Sequence, residues 1–279
     1  MTNEQESFNR FLEEEFALLL KREFNTVIND LREVENKNIN DINDSIKNKK
    51  TLFNNYTELI LYVDVDKGKI GDHLNYDYTT LYGILGEAYF QREMYDESLK
   101  ALDKAISMSP SNILLLQRKM NALKRLDKLE DLEKLIFKTF KYCYTKQALI
   151  NQYFLLSNVY ETRKNYKDAV YLLYLIIVSF DAYDMFINEV ARIQNIANQN
   201  FECPDYETLM GFLKEKGIVT PYDLSTYYFS FYSEMLKNND AIGALDFLKC
   251  SNDVFYDKRG VKMIKRLTKE IEKAQKKQK

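Results

Sequence analysis

Between Ser7 and Val34 the apolar residues Phe8, Phe11, Leu12, Phe16, Leu19, Leu20, Phe24, Val27, Ile28, Leu31 and Val34 recur in steps of three and four. That rhythm puts them on one face of a single long helix. The triplet Glu13-Glu14-Glu15 then falls on a polar, solvated side. The pattern lapses over residues 35–50, ENKNINDINDSIKNKK, where few apolar groups can offset the entropy of ordering. A mobile linker or a weak polar helix is expected there. A second helix is predicted over about Thr51–Val63, and a polar stretch follows from Asp64 to Asp77.

From Thr79 the pattern becomes an internal repeat. Tyr82, Leu85-Gly86 and Tyr89 mark one helix; Ser98, Leu102 and Ala105 mark the next, and Pro110 closes the unit. Gly86 and Ser98 are small where the two helices should approach closely, and the larger residues fill the space between them. Tyr153, Leu156-Ser157, Tyr160, Tyr166, Ala169, Leu173 and Ile176 repeat the grammar. Between these units lies a degenerate copy, from Asn112 to about Lys146, with Leu116, Met120, Leu123, Leu132 and Ile136; about three extra residues fall near Tyr142-Cys143-Tyr144. A weaker echo runs through Tyr228, Phe231-Tyr232, Met235, Ala244, Leu248 and Ser251. Residues 184–217 read as a divergent helix pair broken at Glu202-Cys203-Pro204. Thr220-Pro221-Tyr222-Asp223 reads as a helix start, with Thr220 as cap, Pro221 first in the helix and Asp223 favouring its dipole.

Composition agrees with long helices and short joints. Apolar residues make up 46% of the 279, the formal charge is −2, and there are 8 Gly and 3 Pro. No run of 18 apolar residues occurs, so no transmembrane helix is expected, and the acidic start Met1-Thr2-Asn3-Glu4-Gln5-Glu6 lacks the features of a secretory signal. Cys143, Cys203 and Cys250 are scattered and odd in number, which fits reduced thiols in the cytosol.

The spacing from Tyr82 to Pro110 resembles that of tetratricopeptide-repeat proteins, well over residues 79–183, weakly over 184–251, and not at all over the first 78. The resemblance implies an all-α, right-handed α-solenoid of paired antiparallel helices. Residues 1–78 would form a helical extension with polar linkers, 79–251 the repeats, and 252–279 a basic capping helix. Residues 94–132 are also similar to subunit 2 of the endoplasmic reticulum membrane protein complex. There, a Pro-x-Asn joint precedes an Arg-Lys pair, an apolar residue and a Lys, as Pro110-Ser111-Asn112 precedes Arg118-Lys119, Met120 and Lys124 here. This chain departs from that family at Asp127, where the family has Gly, and near Ser179-Phe180-Asp181, where it lacks an Asn-Pro joint.

In such solenoids a partner binds the row of first-helix side chains on the inner surface. By repeat position these are Glu87 and Phe90, after Gly83, in the first unit; Gln117, Arg118, Asn121 and Arg125 in the second; and Asn151, Phe154, Leu155 and Asn158 in the third. Chaperone-binding members hold a C-terminal carboxylate with Lys and Asn, where this chain has Gly83 and Glu87, so a carboxylate clamp is not expected.

Enzyme chemistry finds little support. His73 is the single histidine, which excludes a His-based triad or multi-His metal site within this chain. The cysteines lack CxxC spacing, and Cys143 and Cys250 read as small buried hydrophobes. No phosphate-cradling glycine motif occurs. From Lys262 to Lys279, seven Lys and one Arg face two Glu, and Val261, Ile264, Leu267 and Ile271 form an apolar stripe. A final repeat helix with cations near its C-terminus is the plainer reading; a basic arm near anionic lipid or nucleic acid is the other. The expectation is a non-catalytic, cytosolic protein-binding scaffold without cofactor or metal. It would bind other proteins, not nucleic acid, and meet membranes only through partners. The narrower resemblance implies the cytosolic subunit that supports membrane-protein insertion at the endoplasmic reticulum; a free adaptor in chaperone, RNA-processing or trafficking assemblies is the alternative.

Overall fold

The computed structural model describes residues 2–278, with side chains to residue 276. Within them the chain is all α-helical: fifteen α-helices, a 3-10 turn at Phe140–Tyr142, and no strand beyond one isolated bridge between Thr51 and His73. Two compact units divide the chain, residues 1–132 and 133–279.

The first unit holds α1 (Asn3–Leu20), α2 (Phe24–Lys37), α3 (Ile39–Lys47), α4 (Tyr56–Val65), α5 (Tyr78–Gln91), α6 (Tyr95–Met108) and α7 (Ile113–Arg125). The long helix expected over Ser7–Val34 is two helices. The chain turns at Arg22, which takes a left-handed φ of 66°, and α1 and α2 come to pack against each other and against α5. Leu12, Leu19, Val27 and Leu31 share a core with Tyr82, Leu85 and Leu102. Of the two alternatives for residues 35–50, a mobile linker and a weak polar helix, the structure has the helix. This stretch forms the end of α2 and all of α3, which packs on α6 and fully buries Ile42. Ile39, Ile42 and Ile46 keep a helical step of three and four inside an otherwise polar composition.

A buried polar knot ties α2 to α5 and α6. Tyr82 Oη and Lys104 Nζ donate to Glu35 Oε1 at 2.8 and 2.7 Å, and Arg32 donates to Glu35 Oε2 at 2.7 Å. Burial alone would raise the Glu35 carboxyl, but these hydrogen bonds outweigh it and hold its pKa below the usual carboxylate range. The Glu13-Glu14-Glu15 triplet is likewise not uniformly solvated: Glu15 is 3% exposed.

After α8 (Leu129–Thr139), the second unit continues with α9 (Lys146–Thr162), α10 (Tyr166–Phe180), α11 (Tyr183–Ala197), α12 (Tyr206–Glu215), α13 (Pro221–Lys237), α14 (Ala241–Val254) and α15 (Lys258–Gln278). Helices α9 and α10 pair, as do α13 and α14, and α15 packs on α14. Tyr153, Leu156, Leu173 and Ile176 are fully buried, and the Tyr153 hydroxyl donates to Val219 O at 2.6 Å. Thr220 caps α13 by accepting from the Asp223 amide, with Pro221 first in the helix. Cys143 and Cys250 are buried, Cys203 is exposed, and all three are free thiols.

One turn recurs along the chain. Glu93, Asp127, Lys164 and Asn239 all take left-handed φ, between 55° and 61°. Each ends the first helix of a hairpin. The next amide then bonds back five residues, as Met94 N to Tyr89 O, Lys128 N to Leu123 O, Asn165 N to Tyr160 O and Asp240 N to Met235 O, at 2.8 to 3.0 Å. These turns lie 34, 37 and 75 residues apart. The extra three residues of the second interval match the insertion expected near Tyr142-Cys143-Tyr144.

Packing repeats with the turns. A Cβ on Gly86 would meet Leu102 at 2.7 and 2.9 Å, which identifies Gly86 as the close approach between α5 and α6. Ser98 Oγ of α6 donates to Gly86 O at 2.7 Å. In the hairpin 71 residues on, Ser157 Oγ of α9 donates to Ala169 O of α10 at 2.9 Å. The same contact is bridged by one hydroxyl in both hairpins, with the donor moved to the opposite helix.

Candidate partner-binding groove

In the first unit, four of the expected contact residues line one hollow of about 240 Å³: Glu87 and Phe90 from α5, Arg118 and Asn121 from α7. Gly83, one turn before Glu87, is what lets α7 come so near. An added Cβ there would lie 3.0 Å from Leu115 and 3.7 Å from the Arg118 guanidinium. With no side chain in the way, Arg118 donates to Gly83 O at 3.0 Å and stands 3.4 Å from the Glu87 carboxylate. Gln91 donates to the other Glu87 oxygen at 2.8 Å. The cation and the carboxylate therefore partly neutralise each other, and the carboxylate that would repel an incoming anion is already engaged.

Further along α5 and α7 the groove becomes aromatic. Phe90 meets Tyr95 edge to face at 5.4 Å, and the Arg125 guanidinium lies over Tyr95 at 4.9 Å from the ring centre. Arg125 reaches Glu93 at a loose 3.9 Å, with half of its side chain in solvent. Asn121 is exposed between the two arginines. The surface offers hydrogen-bond donors beside apolar area, which can hold an extended or helical peptide carrying acidic and apolar groups.

Not every expected residue reaches solvent. Gln117 is 6% exposed and Leu155 is 5% exposed, so both belong to the interior rather than to an open groove. Each sits one position from the groove row, where the helix surface turns inward. In the second unit Asn151, Phe154 and Asn158 are half-buried along α9. Phe154 packs on Phe186 of α11 at 5.5 Å, Asn158 Nδ2 donates to Phe154 O at 2.6 Å, and Asn151 accepts from Gln147.

Three positions equivalent by repeat register to the α5 groove row escaped sequence reasoning. The turns at Glu93 and Asn239 set a 146-residue offset that carries Gly83, Glu87 and Phe90 onto Phe229, Ser233 and Leu236 of α13. Phe229 and Leu236 are each 40% exposed, large apolar side chains at positions occupied in α5 by Gly83 and Phe90. Extending the repeat register of the weak echo would have found them.

Elsewhere, a hollow of about 640 Å³ in the first unit is lined by Leu12, Phe16, Leu52, His73 and Leu74 among others, and the His73 ring Nδ1 lies 2.8 Å from Leu74 O. Among the described residues no group of three or more His, Cys, Asp or Glu side chains is placed to hold a metal ion, and no helix is long and apolar enough to cross a membrane. Burial pushes up the Cys143 thiol and the Tyr153 and Tyr228 hydroxyls, all of which sit in cores. The chain matches no protein-family model, no curated protein and no solved structure.

Proposed function

We propose that the chain is a non-catalytic scaffold of the tetratricopeptide type that binds another protein through its first-helix surfaces. The observation that carries this reading is the hollow in which Glu87, Phe90, Arg118 and Asn121 meet, on two helices that end in the same left-handed turn, at Glu93 and Asp127. A narrower identity, the cytosolic subunit 2 of the endoplasmic reticulum membrane protein complex, draws support from one of its own departures. Asp127, standing where that family has Gly, takes the left-handed backbone that Gly would favour. On this reading the chain supports membrane-protein insertion by holding cytosolic parts of its membrane partners. The test is a pull-down of Arg118→Glu with Arg125→Glu from cell extract at matched expression, with circular dichroism as the folding control. The double variant should stay folded and lose its partners, because opposed charge at an interface costs several kcal/mol. Recovery of the wild-type partners by a folded double variant overturns the groove. Partners that are cytosolic rather than endoplasmic reticulum membrane proteins would leave a free adaptor in place of the narrower identity.

A further inference from the structure

Helix α15 carries its charge in a single ridge. Lys258, Lys262, Lys265, Lys269, Lys273 and Lys276 follow one another in steps of four, three, four, four and three. At 100° per residue those steps confine all six to an arc of about 80°, in a straight line about 27 Å long. All six are exposed, and none is in an ion pair with another described residue. The opposite face holds Gly260, Ile264, Leu267 and Ile271; Gly260 and Leu267 are buried, and α15 packs on α14. Glu270 is paired with Arg266 to one side of the ridge, and Glu272 flanks the other.

We infer that this lysine ridge is a direct electrostatic docking surface for an anionic lipid bilayer. Three observations select that partner. The ridge is straight and its lysines point the same way, so a flat surface can meet all six at once, whereas the phosphate path of a nucleic-acid duplex turns away from a straight rod. No aromatic residue lies on the described part of α15 to stack on bases, and its two arginines, Arg259 and Arg266, stand beside the ridge, Arg266 paired with Glu270. Charge is also segregated: residues 258–276 hold eight cations against two carboxylates, while the whole chain is −2, so the remainder is net acidic and is repelled by the surface that attracts the ridge. Because the apolar face of α15 is already packed, contact needs no insertion into the acyl region, and the docking is reversible and salt-sensitive. This inference stands independently of the scaffold reading and makes membrane contact a property of the chain itself.

Co-flotation of the full chain with vesicles tests it. With 30 mol% phosphatidylserine in phosphatidylcholine the protein should float at low salt and be released at about 0.5 M salt; with pure phosphatidylcholine it should stay behind. Each lysine near such a surface contributes roughly a fivefold gain, so Lys262→Gln, Lys265→Gln and Lys269→Gln together should weaken partitioning about a hundredfold. The triple Lys→Arg variant at these positions should float like wild type, as should Lys100→Gln with Lys164→Gln, which changes exposed lysines elsewhere. Equal binding to pure phosphatidylcholine, wild-type flotation of the Gln triple, or loss of flotation in the Arg triple overturns the proposal. Tighter binding to poly(U) RNA than to the phosphatidylserine vesicles at the same salt also overturns it, in favour of a nucleic acid.

Discussion

At Gly86 a missing side chain sets the distance between α5 and α6, with Leu102 already within 3 Å of where a Cβ would stand. Gly86→Leu should therefore cost about 1–3 kcal/mol through overpacking, read as a lower melting temperature; a wild-type melt would contradict the close approach. That site was legible in the sequence, because a small residue among Tyr82, Leu85 and Tyr89 has few other reasons to be there. Glu15 was not legible. Its neighbours Glu13 and Glu14 are exposed, and nothing in a run of three glutamates marks the one that turns inward. Its Oε2 is buried without a hydrogen-bond partner. Burial, then the nearby charges of Asp30 and Glu14, pushes its pKa up to about 7. The folded state thus holds this proton more tightly than the unfolded chain does. The contribution of Glu15 to stability should be greatest below the ordinary glutamate range, fall as pH rises toward 7, and level off above it. Glu15→Gln should remove that fall and stabilise the protein above pH 7 by about 1–3 kcal/mol, measurable as urea midpoints at pH 5 and 8. A variant whose pH dependence matched wild type would show that Glu15 is not the group that titrates.

Helix lengths and joints depend on backbone conformations that side-chain type announces only in part. The turns at Arg22, Glu93 and Lys164 place non-glycine residues in left-handed backbone, where a Cβ costs about 1 kcal/mol. The break at Arg22 was invisible because Lys21-Arg22-Glu23 carries no Gly, Pro or Asn, and the apolar rhythm continues through it. The turn at Lys164 was inferable only from the repeat register. Lys164 is exposed, so replacing it with Gly should remove strain without disturbing packing and raise stability by about 0.5–1 kcal/mol. A lower melting temperature for Lys164→Gly would contradict the turn. Helix α3 shows why a polar composition left linker and helix both open: the buried Ile42 and the docking surface of α6 suffice to hold it as a helix.

On the scale of the whole molecule, periodicity made the all-α class and the hairpin positions readable, because both follow from local spacing. The contribution of the first 78 residues was not readable, since α1, α2 and α3 acquire their partners only when α5 and α6 are in place. Those partners all fall early in the chain: the helices from α1 to α7 complete their core within residues 1–132. Time of synthesis is therefore part of the design. At translation rates of about 5–20 residues per second, the second unit needs roughly 7–30 seconds to be made, far longer than a helical domain with mostly local contacts needs to fold. The first unit should close its core while the rest is still being assembled. Ribosome-bound chains in which residues 1–132 have cleared the exit tunnel should already resist brief protease treatment, and their Glu35→Ala counterparts should not, because the loss of that carboxylate leaves α2 unanchored against Tyr82 and Lys104.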